Sequence, residues 1–129
     1  MKIDHINISA PKDDLEQEKQ FFSDALGLKE GFRPNFSSNG YWLYSEGKAL
    51  VHLTESNNHF KNESQGFLDH IAFDMTGSKE LIKRLTDLNI PHKIKFLSEN
   101  SMTQVFFKSP SGIGLEANFL NETSEYLSE

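Results

Sequence analysis

No cysteine occurs among the 129 residues. Its absence excludes a disulfide framework, a thiolate nucleophile and any cysteine-ligated zinc or iron–sulfur centre. Arginine is nearly as scarce, with Arg33 and Arg84 alone. Lysine and arginine number 13 against 19 aspartates and glutamates, and the basic residues are scattered. The chain therefore lacks the basic footprint that nucleic acid requires, and its net charge of −6 disfavours an anionic membrane surface. Long apolar runs are missing as well. No run approaches membrane-spanning length, and Met1-Lys2-Ile3-Asp4-His5 lacks the apolar core of a signal peptide. A cytoplasmic protein is expected, with neither a nucleic-acid nor a membrane partner.

What is present is a repeat. Asp4-His5-Ile6 returns 65 positions later as Asp69-His70-Ile71. The stretch from Ser45 to His52 aligns with Ser109 to Glu116, 64 positions on. The length suits one domain. The expected organisation is a single domain of residues 1–129, with module one at 1–54, a polar linker at 55–66, module two at 67–120 and an acidic tail at 121–129. Each module shows the same order of elements. Short apolar runs at Ile3–Ile8 and Leu68–Asp74 read as strands. A helix follows from Asp13 to Leu26, with Leu15, Phe22, Ala25 and Leu26 on one face and Gly27 ending it. Its counterpart runs from an N-cap at Ser78 to about Leu88, with Leu81, Ile82, Leu85 and Leu88 inward. Three more strands complete each half, near Lys29–Arg33, Tyr41–Tyr44 and Ala49–Leu53, and near His92–Leu97, Thr103–Lys108 and Ile113–Phe119. The pattern is βαβββ twice, an α+β fold.

The last two strands of each module form a hairpin. Ser109-Pro110-Ser111-Gly112 reads as a type I turn with Gly112 in a left-handed bulge position. That register pairs Ser109 with Ile113, Phe106 with Glu116 and Gln104 with Asn118. Repeat symmetry then pairs Trp42 with His52 and Tyr44 with Leu50. Alternation along the strands turns Ile6, Ile8, Ile71 and Phe73 toward the helices. The helix-free faces receive His5, Asn7 and His52 from module one, and His70, Glu116 and Asn118 from module two. Neutral imidazoles and a carboxylate suit borderline divalent ions such as Zn²⁺, Fe²⁺, Ni²⁺, Co²⁺ and Mn²⁺. A single strand histidine is ordinarily just partly buried; four ligand-type residues at symmetric places are a constellation. His52 stands as a fourth ligand or as an acid–base group. Trp42, Tyr44 and Phe106 form either an aromatic wall or ordinary core, and Asn7 and Asn118 either hydrogen-bond a substrate or are merely solvated.

These residues resemble the vicinal oxygen chelate superfamily, which includes glyoxalase I, extradiol dioxygenases, fosfomycin-resistance enzymes and bleomycin-resistance proteins. The resemblance spans Lys2 to Phe119 and rests on Asp4-His5-Ile6, Asp69-His70-Ile71, the Ser-Pro-Ser-Gly turn and Gly114-Leu115-Glu116. It implies two tandem βαβββ modules forming a cupped, barrel-like mixed sheet with the helices outside. It implies metal ligands at His5, His52, His70 and Glu116, with Glu116 and His52 as the catalytic groups. The implied cofactor is a divalent ion (Fe, Zn, Ni, Co or Mn), the implied substrate a small oxygenated molecule and the implied assembly a homodimer. The implied function is a metal-dependent, glyoxalase-like enzyme of lyase, isomerase or dioxygenase type. The alternative is a non-enzymatic protein that sequesters a drug or metabolite. A typical glyoxalase I carries a carboxylate where His52 stands and an arginine near the first strand; here neither is found. Extradiol dioxygenases typically join four modules, and this chain has two.

Overall fold

The computed structural model describes residues 1–59, 63 and 65–122. Linker residues 60–62 and 64, and residues 123–129 of the acidic tail, lie outside the described residues. The chain divides into two compact units, Met1–Glu63 and Ser64–Glu129. Each is a βαβββ module. Module one runs β1 (Ile6–Ala10), α1 (Lys12–Leu26), β2 (Lys29–Gly31), β3 (Gly40–Ser45) and β4 (Lys48–Glu55). Module two runs β5 (His70–Asp74), α2 (Ser78–Asp87), β6 (His92–Leu97), β7 (Met102–Lys108) and β8 (Gly114–Leu120), with a short 3-10 turn at Ser98–Asn100.

The strands form two four-stranded mixed sheets, ordered β1-β4-β3-β2 and β5-β8-β7-β6. In each, the first strand lies parallel to the last and the remaining pairings are antiparallel. The single cupped sheet expected from the resemblance is thus two sheets, one per module, and neither closes on itself. The expected α+β class and module order are those observed.

Helix α1 places Leu15, Phe22 and Ala25 against the sheet, and Gly27 ends it at φ 73° with its N–H donating to the Ser23 carbonyl. Its inner face also carries Glu18, which is 0% exposed. Leu43, Val51 and Leu53 form the facing side of that core, and each fully buried side chain of this size contributes about 1.5–3 kcal/mol. In module two, Leu81 and Leu85 cover Val105, Leu115, Ala117 and Phe119.

The start of α2 departs from expectation. Gly77, at φ 86°, is the N-cap, and Ser78 is the first helical residue. The cap comes from the far end of the module: the Glu122 carboxylate accepts the N–H groups of Gly77 at 2.9 Å and Ser78 at 2.7 Å. Leu88 is the C-cap of the helix and, against expectation, faces outward, 40% exposed.

The two hairpins differ. Between β7 and β8 the register is as expected, pairing Phe106 with Glu116 and Gln104 with Asn118. Gly112 sits at φ 87°, and the Ser109 N–H donates to the Ile113 carbonyl at 3.0 Å. Between β3 and β4, Trp42 pairs with His52 as expected, but Tyr44 pairs with Ala49 rather than Leu50. Gly47 comes one residue early, so Glu46 (φ 51°) and Gly47 (φ 79°) make a two-residue turn and Leu50 is left over as a bulge. The parallel ladder of β1 begins just beyond that bulge, at Ile6 opposite Val51. His5 consequently precedes β1 instead of lying within it.

Candidate functional site

Burial of Val51 and Leu53 against α1 fixes the face of β4, and the pleat turns His52 and Thr54 the other way. Asn7 lies opposite His52 across the parallel ladder, and the Thr54 hydroxyl donates to its side-chain oxygen at 2.9 Å. Trp42 is opposite His52 on the antiparallel side. The result is a stack of three rings. His52 lies between His5, with centroids 3.8 Å apart and planes 13° from parallel, and Trp42, at 4.0 Å and 11°. Phe36 leans on the outer part of the indole at 6.1 Å.

Each imidazole of the stack has a further partner. His5 Nδ1 is 2.7 Å from the Asp4 carboxylate, and His52 Nε2 donates to the Ala49 carbonyl at 3.2 Å. Burial holds His52 below the ordinary histidine range, and the neighbouring His5 acts in the same direction. The lone pairs of an imidazole lie in its ring plane. Two rings so nearly parallel and stacked cannot both aim a nitrogen at one ion. Tyr44, on the same side as Trp42, lies over β2 instead of the stack. A Cβ at Gly31 would come within 2.7 Å of its ring, and its hydroxyl donates to the Phe32 carbonyl at 2.6 Å.

Module two presents an acid–imidazole–acid series. Asp69 is 2.8 Å from His70 Nδ1, and His70 Nε2 is 3.4 Å from Glu116 Oε1. The hydrogen bond to Asp69 raises the His70 pKa, with the charge of Glu116 adding to it. Glu116 is 7% exposed although its strand neighbours Leu115 and Ala117 face the core. Its other oxygen accepts from Gln104 at 3.1 Å, and the same amide donates to Asn118 at 3.2 Å. Phe106 lies opposite Glu116, half-buried. Gly114 allows β5 to approach this closely, since a Cβ there would stand 2.5 Å from the Asp69 carbonyl oxygen and 3.2 Å from His70 Cβ.

Among the described residues no three histidine or acidic side chains converge in a geometry that holds a metal ion. The four expected ligands occur as two pairs, one per module. The pair in module two fits a shared ion: two donors each about 2.1 Å from one tetrahedral ion stand about 3.4 Å apart. Asp69 also holds Nδ1, which leaves Nε2 as the outward nitrogen, the arrangement that carboxylates impose on metal-bound histidines.

No family model and no curated protein matches the sequence. Solved structures do match. A glyoxylase/bleomycin resistance protein/dioxygenase domain from Frankia sp. EAN1pec superposes with a TM-score of 0.72 at 19% identity, over 93% of this chain and 98% of that one. Lactoylglutathione lyase from Agrobacterium tumefaciens gives 0.65 at 18%, covering 92% of each chain. The fosfomycin resistance protein FosX from Listeria monocytogenes, solved with Mn(II) and sulfate, gives 0.65 at 15%, over 99% and 98%. The chain has the fold of these solved structures.

Within this fold the sequence pointed to His5, His52, His70, Glu116, Trp42, Asn7 and Asn118 and passed over the residues that orient them. Asp4 and Asp69 served only as markers of the repeat, yet each bonds the histidine that follows it. Their signal was the doubled Asp-His pair itself. Gln104 could have been found from its register opposite Asn118. Phe36 could not, because its loop carries no periodicity. Among the described residues no helix is long and apolar enough to cross a membrane.

Proposed function

We propose that the protein is a divalent-metal-dependent enzyme of glyoxalase type, acting on a small oxygenated substrate. The observation that supports this most is the Asp69–His70–Glu116 series, with donor atoms of His70 and Glu116 3.4 Å apart. The proposed ligands are His70 and Glu116, joined by His5, whose Nδ1 is engaged by Asp4 as that of His70 is by Asp69. His52 takes the acid–base or positioning role, because it stacks on His5 and bonds the Ala49 carbonyl. The bound ion would polarise a substrate oxygen and acidify the adjacent C–H or water. Glu116, as the one ligand carboxylate, would take up the proton on Oε1 by giving up its place as a ligand, while Gln104 steadies Oε2. Asn7, Asn118 and Trp42 supply substrate contacts, and Phe106 borders Glu116. The two modules act as one domain of residues 1–129, in a cytoplasmic homodimer.

The test is calorimetric titration of tag-free, chelator-treated protein with Mn²⁺, Fe²⁺, Ni²⁺, Co²⁺ and Zn²⁺. It is followed by a turnover screen over thiol–aldehyde adducts, catechols and phosphonates. One ion should bind stoichiometrically, His70→Ala should lose it, and Glu116→Gln should abolish turnover even where the ion remains. Absence of binding by every ion would overturn the reading.

The ring stack supports a second reading. His5, His52 and Trp42 already satisfy one another as an aromatic surface of the kind that holds a planar compound without metal. Tight binding of planar compounds by metal-free protein, without turnover, would favour this sequestering role.

A further inference from the structure

The other face of the module-one sheet carries a cleft of about 400 Å³. Tyr41 lies on its wall, one residue from Trp42 and so on the opposite side of β3 from the ring stack. The cleft is bounded by the start of α1, the loop before β3 and the end of β4, within a size range ordinary for small-molecule sites.

Its charges are arranged unusually. Arg33 and Lys12 supply two cations, Glu16 and Glu55 two carboxylates. Among the described residues, these four make no ion pair within 4.0 Å with one another. Each carboxylate is held instead by a neutral donor, Glu16 by the Tyr41 hydroxyl and Glu55 by the Asn39 amide at 3.2 Å. Arg33 is likewise held by neutral groups. Its Nη1 donates to the Ser38 carbonyl at 2.9 Å, and its guanidinium lies over the Phe36 ring at 4.8 Å. Its Nε is buried with no hydrogen-bond partner among the described residues. Gly40 makes room for it: a Cβ there would stand 3.1 Å from Nη2 and 2.0 Å from the Leu53 carbonyl oxygen. Opposite charges kept apart by neutral partners favour a ligand that itself carries both signs, since either sign alone would meet repulsion from one pair.

We propose that this cleft is a binding site for a small zwitterion of the α-amino-acid class, separate from the face that bears His5 and His52. The ligand carboxylate pairs with Arg33, whose fork suits a planar carboxylate. Its ammonium faces Glu16 and Glu55, and Phe36 and the Tyr41 ring receive an apolar or aromatic side chain.

The experiment is calorimetric titration of the full chain, in chelator, with L-phenylalanine and with its two half-charged analogues, phenylacetate and phenethylamine. L-Phenylalanine should bind at least tenfold more tightly than either analogue. Arg33→Met and Glu55→Gln should each weaken it by tenfold or more, with unchanged circular dichroism. Phenylacetate binding as well as L-phenylalanine would overturn the proposal, as would no binding of L-phenylalanine at millimolar concentration. The three-ligand comparison uses the wild-type chain and so decides the matter even where a variant fails to fold. Chelator keeps the result independent of the proposed metal chemistry.

Discussion

His52 lies flat against Trp42, ring centroids 4.0 Å apart and planes 11° from parallel. The contact follows from their pairing across β3 and β4, and it buries one face of an imidazole whose other face is covered by His5. The neutral ring is the form that tolerates this.

The first prediction follows from the opposite surroundings of two histidines. In metal-free protein, His52 titrates below the ordinary value of about 6.5 and His70 above it. For stability the signs differ. His70 contributes stability at pH below its unfolded value, and that contribution is lost as pH rises through its raised native value. His52 opposes folding as pH falls below its unfolded value and has no such effect above it. Imidazole proton shifts followed by NMR check the order. Asp69→Asn should lower the His70 midpoint and leave that of His52 in place; a reversed order would disprove both pairings.

A second prediction tests the proposed ligand role through folding. An ion that binds only the native state stabilises it by roughly 2.7 kcal/mol at 100 times Kd. Chelator should lower the melting temperature of the ion-loaded wild type and leave that of His70→Ala unchanged. Equal responses in the two proteins would remove His70 from the ligand set.

The third concerns the cap on α2. Glu122→Ala takes away the acceptor for two backbone N–H groups and should cost about 0.5–2 kcal/mol in urea denaturation. Glu122 is burdened by burial, but its bonds from Ser78 and Gly77 outweigh this and hold its pKa below the carboxylate range. The stability it provides is therefore full above the unfolded value and fades as pH falls through the native one. A variant as stable as wild type at neutral pH would show that the cap is dispensable.

A fourth concerns Gly114. Gly114→Ala forces a Cβ to within 2.5 Å of the Asp69 carbonyl oxygen, so β5 must shift or the strands part. Overpacking of this kind costs about 1–3 kcal/mol. The shift should also move the His70 resonances and lower metal affinity more than stability alone explains. A variant with wild-type melting and unchanged His70 resonances would contradict this.

Much of this architecture was legible in the chain. The doubled Asp-His-Ile and the Ser-Pro-Ser-Gly turn give the module order and the register that sets Phe106 opposite Glu116, because alternation and turn chemistry are local. Trp42 opposite His52 follows by symmetry. The same symmetry fails at Tyr44, where a glycine one place early changes the turn and leaves Leu50 bulged. Residues whose roles depend on distant partners were not legible. Glu122 caps a helix that begins 44 residues before it, and Arg33 enters a cleft from a loop with no pattern. The stacking of His5 on His52 was also hidden, since the sequence places both on one face without saying that the two rings would meet.

The strand order of module one has a consequence for synthesis on the ribosome. Its outermost strand β1 is made first and waits for β4, some 45 residues later, before it has any neighbour to pair with. The ladder can close once Glu55 has emerged, before any residue of β8 has done so. In module two β5 waits in the same way for β8, some 44 residues later. The nascent protein therefore carries a finished first sheet and an unpaired β5 until β8 emerges, and that interval is when it is most exposed to wrong partners.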